Sequence, residues 1–179
     1  PWHVYGLSGA SMARFRAELA AAMAANPMGE EPEFHIYPPA IKEPYRTRRF
    51  RCGEALYAAI GIPREDKAGR LMQISKNYDF FGAPAAFFFA IDRQMGPGQW
   101  AHLGMLMQTI ALVAEEMGLA TCMQEAWARQ HGFVRRFFAV PDELQIYCGL
   151  AVGHADPAAP INRWRTERAG VDEIASFFG

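Results

Sequence analysis

Apolar residues dominate the middle of the chain. From Gln99 to Met117, Leu103, Leu106, Ile110, Val113 and Met117 recur at helical spacing, and Met105, Met107, Thr109, Leu112 and Ala114 occupy the remaining faces. Only His102, Gln108, Glu115 and Glu116 are strongly polar. The pattern predicts a long helix that is apolar on nearly every side. Such a helix must be covered all round, and a chain of 179 residues has few places to hide one. A second copy of the chain is the expected cover, with a central core helix of a monomer as the competing reading. A membrane span is not expected, because His102 and Gln108 interrupt the run, two glutamates end it and no positive cluster flanks it.

The flanking patterns alternate between strand and helix. Trp2 to Leu7 reads as a strand, and Ala10 to Ala25 as an amphipathic helix burying Met12, Phe15, Leu19 and Met23. Prolines and glycines punctuate Asn26 to Pro44, which reads as an irregular excursion. Helices are predicted over Tyr45 to Ile60, with Phe50, Leu56 and Tyr57 available to bury, and from Pro63 to about Lys76. Ala85 to Ile91 is apolar at every position, as in a strand covered on both faces. Leu119 to Gln124 and Gln145 to Val152 read as strands, Arg129 to Phe138 as a short helix and Val171 to Phe177 as a last helical segment. The alternation predicts a single α+β domain over residues 1–179, with helices packed on one mostly antiparallel sheet.

Composition narrows the function. A net charge of -1 gives no nucleic-acid footprint. The three cysteines, Cys52, Cys122 and Cys148, lack metal-site spacing and read as reduced thiols of a cytoplasmic protein; no metal site is expected. No phosphate-binding P-loop, serine-nucleophile elbow, HExxH or dinucleotide-binding glycine pattern is present, and the five histidines form no ligand pair at helical spacing. Chemistry carried by a bound cofactor is therefore the better expectation. Two segments have the make-up to hold one. Glu125 and Ala126 follow the end of a strand, where backbone N–H groups and a small side chain let a flat ring approach; an ordinary strand-to-helix turn is the competing reading. Arg163, Arg165 and Arg168 lie close together in the tail from Asp156 to Gly179, where they converge on a phosphate or else pair with Glu167, Asp172 and Glu173.

Four segments in order resemble the FMN-dependent nitroreductase family. They are Lys76-Asn77-Tyr78-Asp79-Phe80-Phe81-Gly82-Ala83-Pro84 with its apolar strand, the long helix opening at Trp100, Gly118 to Trp127, and Cys148 to His154 followed by the arginine tail. The resemblance implies a homodimer with the long helix in its interface, FMN as cofactor, and NADH or NADPH as electron donor in ping-pong reduction of nitroaromatics, quinones or activated enones. By position it implies that the backbone of Glu125 and Ala126, with Gln124, lies at the flavin N5 edge, where an N–H donor stabilises the reduced ring. Arg168, then Arg165, falls at the FMN phosphate, and Asn77 near the flavin or its ribityl chain. Phe80, Phe81, Trp127, Tyr45 and Arg46 are candidates to wall a pocket for a small aromatic or quinone-like acceptor, with residues 26–50 as a candidate lid; simple core for the three aromatic residues and a solvated excursion for the segment are the competing readings. The family's phosphate-gripping segment before the first strand has no counterpart after Pro1, so a fragment is expected. Thr166 and Gly170 depart from the usual lysine and proline. Two rivals stay open: a same-fold flavin enzyme of dehalogenation or flavin breakdown, and a non-catalytic flavin-binding dimer.

Overall fold

The computed structural model describes all 179 residues, Pro1–Gly179, and the chain divides into two compact units. The first comprises Pro1–Pro39 and Gln73–Ala155, the second Ala40–Met72 and Asp156–Gly179. The proline-rich excursion thus parts at Pro39, its two halves belonging to different units.

The first unit is built on four strands, β1 (Trp2–Ser8), β2 (Ala85–Asp92), β3 (Ala120–Gln124) and β4 (Leu144–Gly153). They form one sheet in the order β1-β2-β4-β3, antiparallel throughout. The unbroken apolar run of β2 has a direct cause. Ala86, Phe88 and Ala90 enter a core with Met12, Phe15 and Leu19 of helix α1 (Gly9–Ala25), while Phe89 and Ile91 enter a second core on the opposite face. A bulge between Phe89 and Ala90 shifts the register against β4 without uncovering either side.

The second core packs beneath the long helix. Pro97 opens it at the first turn, as its fixed φ favours, and it runs to Glu116. Helices α2 (Tyr45–Ala59) and α3 (Lys67–Ser75) precede this one, α4, in the chain. The buried seam of α4 is Leu103, Met107 and Ala114, with Leu106 and Ile110 half-buried. Val113 and Met117 are exposed in the single chain with Met105 and Leu112.

Several element ends differ from the sequence pattern for local reasons. Helix α3 starts at Lys67, not near Pro63, because the Asp66 carboxylate accepts the Gly69 N–H (2.8 Å) as a cap. Lys76–Gly82 is a 3-10 turn, in which Phe80 and Phe81 hold φ of 53° and 52°. Glu125–Gln130 is a second 3-10 turn leading into α5 (His131–Phe138). The stretch before Pro39 is held down: Glu30 accepts the Gly132 N–H (2.8 Å), Glu33 pairs with Arg93 (2.5 Å), and the Phe34 ring lies 5.8 and 5.6 Å from those of Trp100 and Tyr147.

In the second unit, α2 buries no residue completely and Phe50 stays exposed, contrary to the burial expected of it. Polar links dominate there. Arg70 grips Glu54 through both guanidinium nitrogens (2.7 and 3.1 Å) and covers the Tyr57 ring, while Arg48 and Arg51 pair with Glu173 and Glu167. The tail forms only two short helices, α6 (Pro160–Arg163) and α7 (Val171–Ile174), rather than one over Val171 to Phe177.

Candidate functional site

The strand end and the turn after it are fixed by buried polar atoms. Gln124 closes β3 opposite Gly149 of β4 and is almost wholly buried. Its Nε2 donates to the Asn77 backbone oxygen (2.8 Å) and to Asn77 Oδ1 (3.3 Å), and its Oε1 accepts the Trp127 indole N–H (3.4 Å). Glu125 and Ala126 lie between these two anchored side chains. Two tyrosines add further ties: Tyr78 donates its hydroxyl to the Ala126 carbonyl, and Tyr147 donates to Glu125 Oε1, each at 3.3 Å. The first N–H groups of a helical turn cannot be satisfied within it, so this turn offers held backbone donors after a strand. Ala126 adds only a methyl group.

Asn77 is brought to the same place by the other 3-10 turn. Its Nδ2 donates to the Ile74 carbonyl (2.9 Å) and its Oδ1 receives Gln124, which fixes the amide's orientation and leaves one N–H and one lone pair for a ligand. Arg16 of α1 steadies that turn by donating to the Asp79 and Ala83 carbonyls (3.1 and 3.0 Å) and pairing with the Asp79 carboxylate (2.7 Å).

The remaining predicted residues separate into groups. Phe80 and Trp127 do not wall a pocket. Both are fully buried, stacked on each other at 4.8 Å within the aromatic cluster around Phe15. The sequence pattern could not separate a core aromatic from a pocket aromatic. Phe81 is 45% exposed, and its backbone holds the left-handed conformation. Gln124 spends its side chain inward rather than on a ligand. In the second unit, Tyr45 is exposed at the start of α2, and Arg46 pairs with Glu43 (2.7 Å). A hollow of about 390 Å³ there, between Glu54, Ile62, Pro63, Arg64 and Arg70, includes none of the expected site residues.

The tail arginines differ in what they hold. Arg165 donates to the Asn162 and Trp164 carbonyls (2.8 and 2.9 Å). Arg168 donates to the Thr166 hydroxyl and to the Thr166 and Glu167 carbonyls. Neither meets a carboxylate, unlike Arg48 and Arg51, so both keep positive charge uncommitted to an anion. Within the first unit, fixed N–H donors, a small residue and an oriented amide form a donor set that fits the ring and ribityl chain of FMN; in the second unit, taken by itself, the uncommitted guanidinium groups suit a phosphate. No group of three His, Cys, Asp or Glu residues converges to hold a metal ion.

The sequence pattern gives Tyr78 and Tyr147 no role in the site: Tyr78 stands beside Asn77 within the Lys76–Pro84 segment, and nothing in the pattern marks Tyr147. Burial, reinforced by the charge of Glu125, pushes the Tyr147 hydroxyl up to about 12, so it remains a hydrogen-bond donor through the neutral range. Burial likewise lifts Tyr78, with Arg129 opposing.

Comparison with known proteins gives a consistent result. The family model described as the nitroreductase family matches residues 1–154. Nitrobenzene nitroreductase of Ectopseudomonas oleovorans is 32% identical, the match covering 99% of this chain and 78% of the relative. 4-Nitrobenzoate reductase of Pseudomonas putida is 33% identical over 100% of this chain and 78% of its own length. Among solved structures, the FMN and NADPH-dependent nitroreductase NfnB from Sphigopyxis sp. strain HMH superposes with a TM-score of 0.93 at 43% identity, covering 100% of this chain and 80% of that one. NfnB from Mycobacterium smegmatis in complex with NADPH gives a TM-score of 0.91 at 27% identity, with 100% and 79% covered.

Proposed function

The chain belongs to the nitroreductase family, and from that premise we propose that it is an FMN-dependent NAD(P)H oxidoreductase reducing nitroaromatic compounds, with quinones and activated enones as further acceptors. The observation that carries this reading is the match of the whole chain, at 43% identity, to a solved FMN- and NADPH-dependent nitroreductase. Bound FMN supplies two-electron redox chemistry between the nicotinamide donor and the acceptor.

The chain's own part is to hold and orient. The backbone N–H groups of Glu125 and Ala126 donate to the ring edge where negative charge develops, and Ala126 lets the ring approach. The outward N–H and lone pair of Asn77 serve the ring or the ribityl chain. Arg168, with Arg165 second, takes the phosphate through charge-assisted hydrogen bonds. Phe81 offers an apolar face to an aromatic acceptor.

A homodimer belongs to the same proposal. One stripe of α4 is covered within the chain, while Met105 and Leu112 lie exposed on the side opposite it, Val113 is exposed at its flank and Met117 just past its end, a concentration of apolar surface that a monomer rarely leaves to water. A second copy of α4 is the cover we assign. No helix is long and apolar enough to cross a membrane, and the three cysteines are free thiols, which supports a cytoplasmic setting.

The test is spectroscopic. The purified full-length protein should be yellow, should bleach on anaerobic addition of NADPH or NADH, and should recover its colour when a nitrobenzoate is added. A protein that stays colourless with added FMN would overturn the enzyme reading. A yellow protein that neither nucleotide bleaches would favour a flavin-binding protein without catalysis.

A further inference from the structure

A buried amide must have its hydrogen bonds satisfied, and the direction in which it spends them shows what it stabilises. Gln124 spends both donors on a single residue, Asn77, and its acceptor on Trp127. It is the only buried polar side chain in the first unit besides Gln130. The two segments it joins lie 47 positions apart in the chain, and each carries part of the site proposed above.

We propose that Gln124 is a positioning residue for the flavin site. Its buried amide joins the Lys76–Gly82 turn to the Glu125–Gln130 turn, so that the Asn77 amide and the Glu125–Ala126 backbone face a ligand in one fixed relation. This rests on the FMN reading.

The geometry carries the assignment in three steps. Asn77 could present either end of its amide outward, and the Gln124 N–H at Oδ1 together with the Ile74 carbonyl at Nδ2 selects one orientation. Trp127 cannot drift, because its indole N–H is held by Gln124 while its ring is stacked on Phe80 and set edge-on to Phe88 at 5.0 Å. Glu125 and Ala126 lie between Gln124 and Trp127 in the chain, so anchoring both leaves the intervening backbone little freedom. Tyr78 fixes the Ala126 carbonyl in addition. A site assembled this way presents donors already oriented, and a ligand does not have to order them on binding.

The test uses the full chain with Gln124→Met, which keeps the length and fill of the side chain but no hydrogen bond, and Gln124→Glu, which removes both donors. Val134→Ala, a cavity in the core at α5, serves as the control for general destabilisation. Fluorescence titration of the apoprotein should show FMN binding weakened about tenfold or more in both Gln124 variants and near wild type in the control. The visible spectrum of bound FMN should shift in the Gln124 variants alone. In an Asn77→Ala background, which keeps the backbone oxygen but removes Oδ1 and the amide that Gln124 orients, Gln124→Met should cost less FMN affinity than in the wild type. Gln124→Met that folds and binds FMN with wild-type affinity and spectrum would overturn the proposal while leaving the FMN reading intact. Additive losses in the double variant would also overturn it. Wild-type protein that takes up no FMN would overturn both.

Discussion

The indole of Trp127 lies so close over Gly149 that a Cβ at that position of β4 would stand 2.4 Å from Trp127 Cδ1. The ring has no room to withdraw, being packed by Phe80, Phe88 and Tyr78 at centroid distances of 4.8, 5.0 and 5.3 Å. Gly149→Ala should therefore destabilise the protein by about 2 kcal/mol or more through overpacking, despite adding one methyl group. Denaturant titration measures the loss, and near-ultraviolet circular dichroism should report a displaced tryptophan. An unchanged midpoint would show that the sheet yields at this point.

The fold was legible largely because two periodicities were strong. The unbroken apolar run of β2 signalled cover on both faces, and the two cores confirm it. The seam of α4 was less legible. When nearly every position is apolar, spacing cannot say which stripe faces the sheet, and Val113 and Met117 fell outside it. The distinction between core and pocket was illegible for Phe80 and Trp127, since an aromatic side chain suits either place and only packing decides. The inward use of Gln124 was hidden for the same reason: its partner Asn77 is remote in sequence, and nothing local records the bond.

Phe81 combines exposure with a backbone φ of 52°, a conformation glycine adopts without penalty and other residues adopt at a cost of about 1 kcal/mol. Phe81→Gly should thus leave the melting temperature unchanged or slightly raised. If the ring faces the acceptor, kcat/KM for a nitroaromatic should fall while FMN affinity holds. A fall in stability without loss of activity would assign Phe81 to packing instead.

Arg168 and Arg165 both lack a carboxylate partner, and Arg168 is the residue proposed for the phosphate. Arg168→Ala should weaken FMN retention about tenfold or more, as expected for loss of a hydrogen bond to a charged group, with a smaller effect for Arg165→Ala. The thermal midpoint of the apoprotein should not move. Raised salt should weaken wild-type FMN binding more than that of Arg168→Ala. Equal FMN retention across wild type and both variants would place the phosphate elsewhere.

Tyr147 and Cys148 are adjacent on β4, and burial lifts each to about 12 from ordinary values of 10.0 and 9.0. Both are neutral when protonated, and the folded state holds those protons more tightly than the unfolded chain. Their stabilising effect is intact below about pH 9 and is lost progressively between about 9 and 12. Urea midpoints followed from about pH 8 upward should fall with a slope that Cys148→Ala and Tyr147→Phe each make shallower, whatever either variant does to the midpoint at neutral pH. A slope identical in all three proteins would assign alkaline unfolding to other groups.

Leu112 is 62% exposed on the side of α4 turned away from the sheet, in line with Met105 and Thr109 and next to Val113. If a second copy covers this stripe, a glutamate there would meet apolar surface and its own symmetry mate across an isologous contact, placing two unpaired negative charges together. Leu112→Glu should shift the protein from dimer to monomer by light scattering after size exclusion, and should make its thermal midpoint independent of concentration. In a monomer the same substitution would place a carboxylate in water on a helix surface and change stability by no more than about 0.5 kcal/mol. A wild-type protein that is already monomeric, with Leu112→Glu indistinguishable from it, would remove the second copy as the cover of this face.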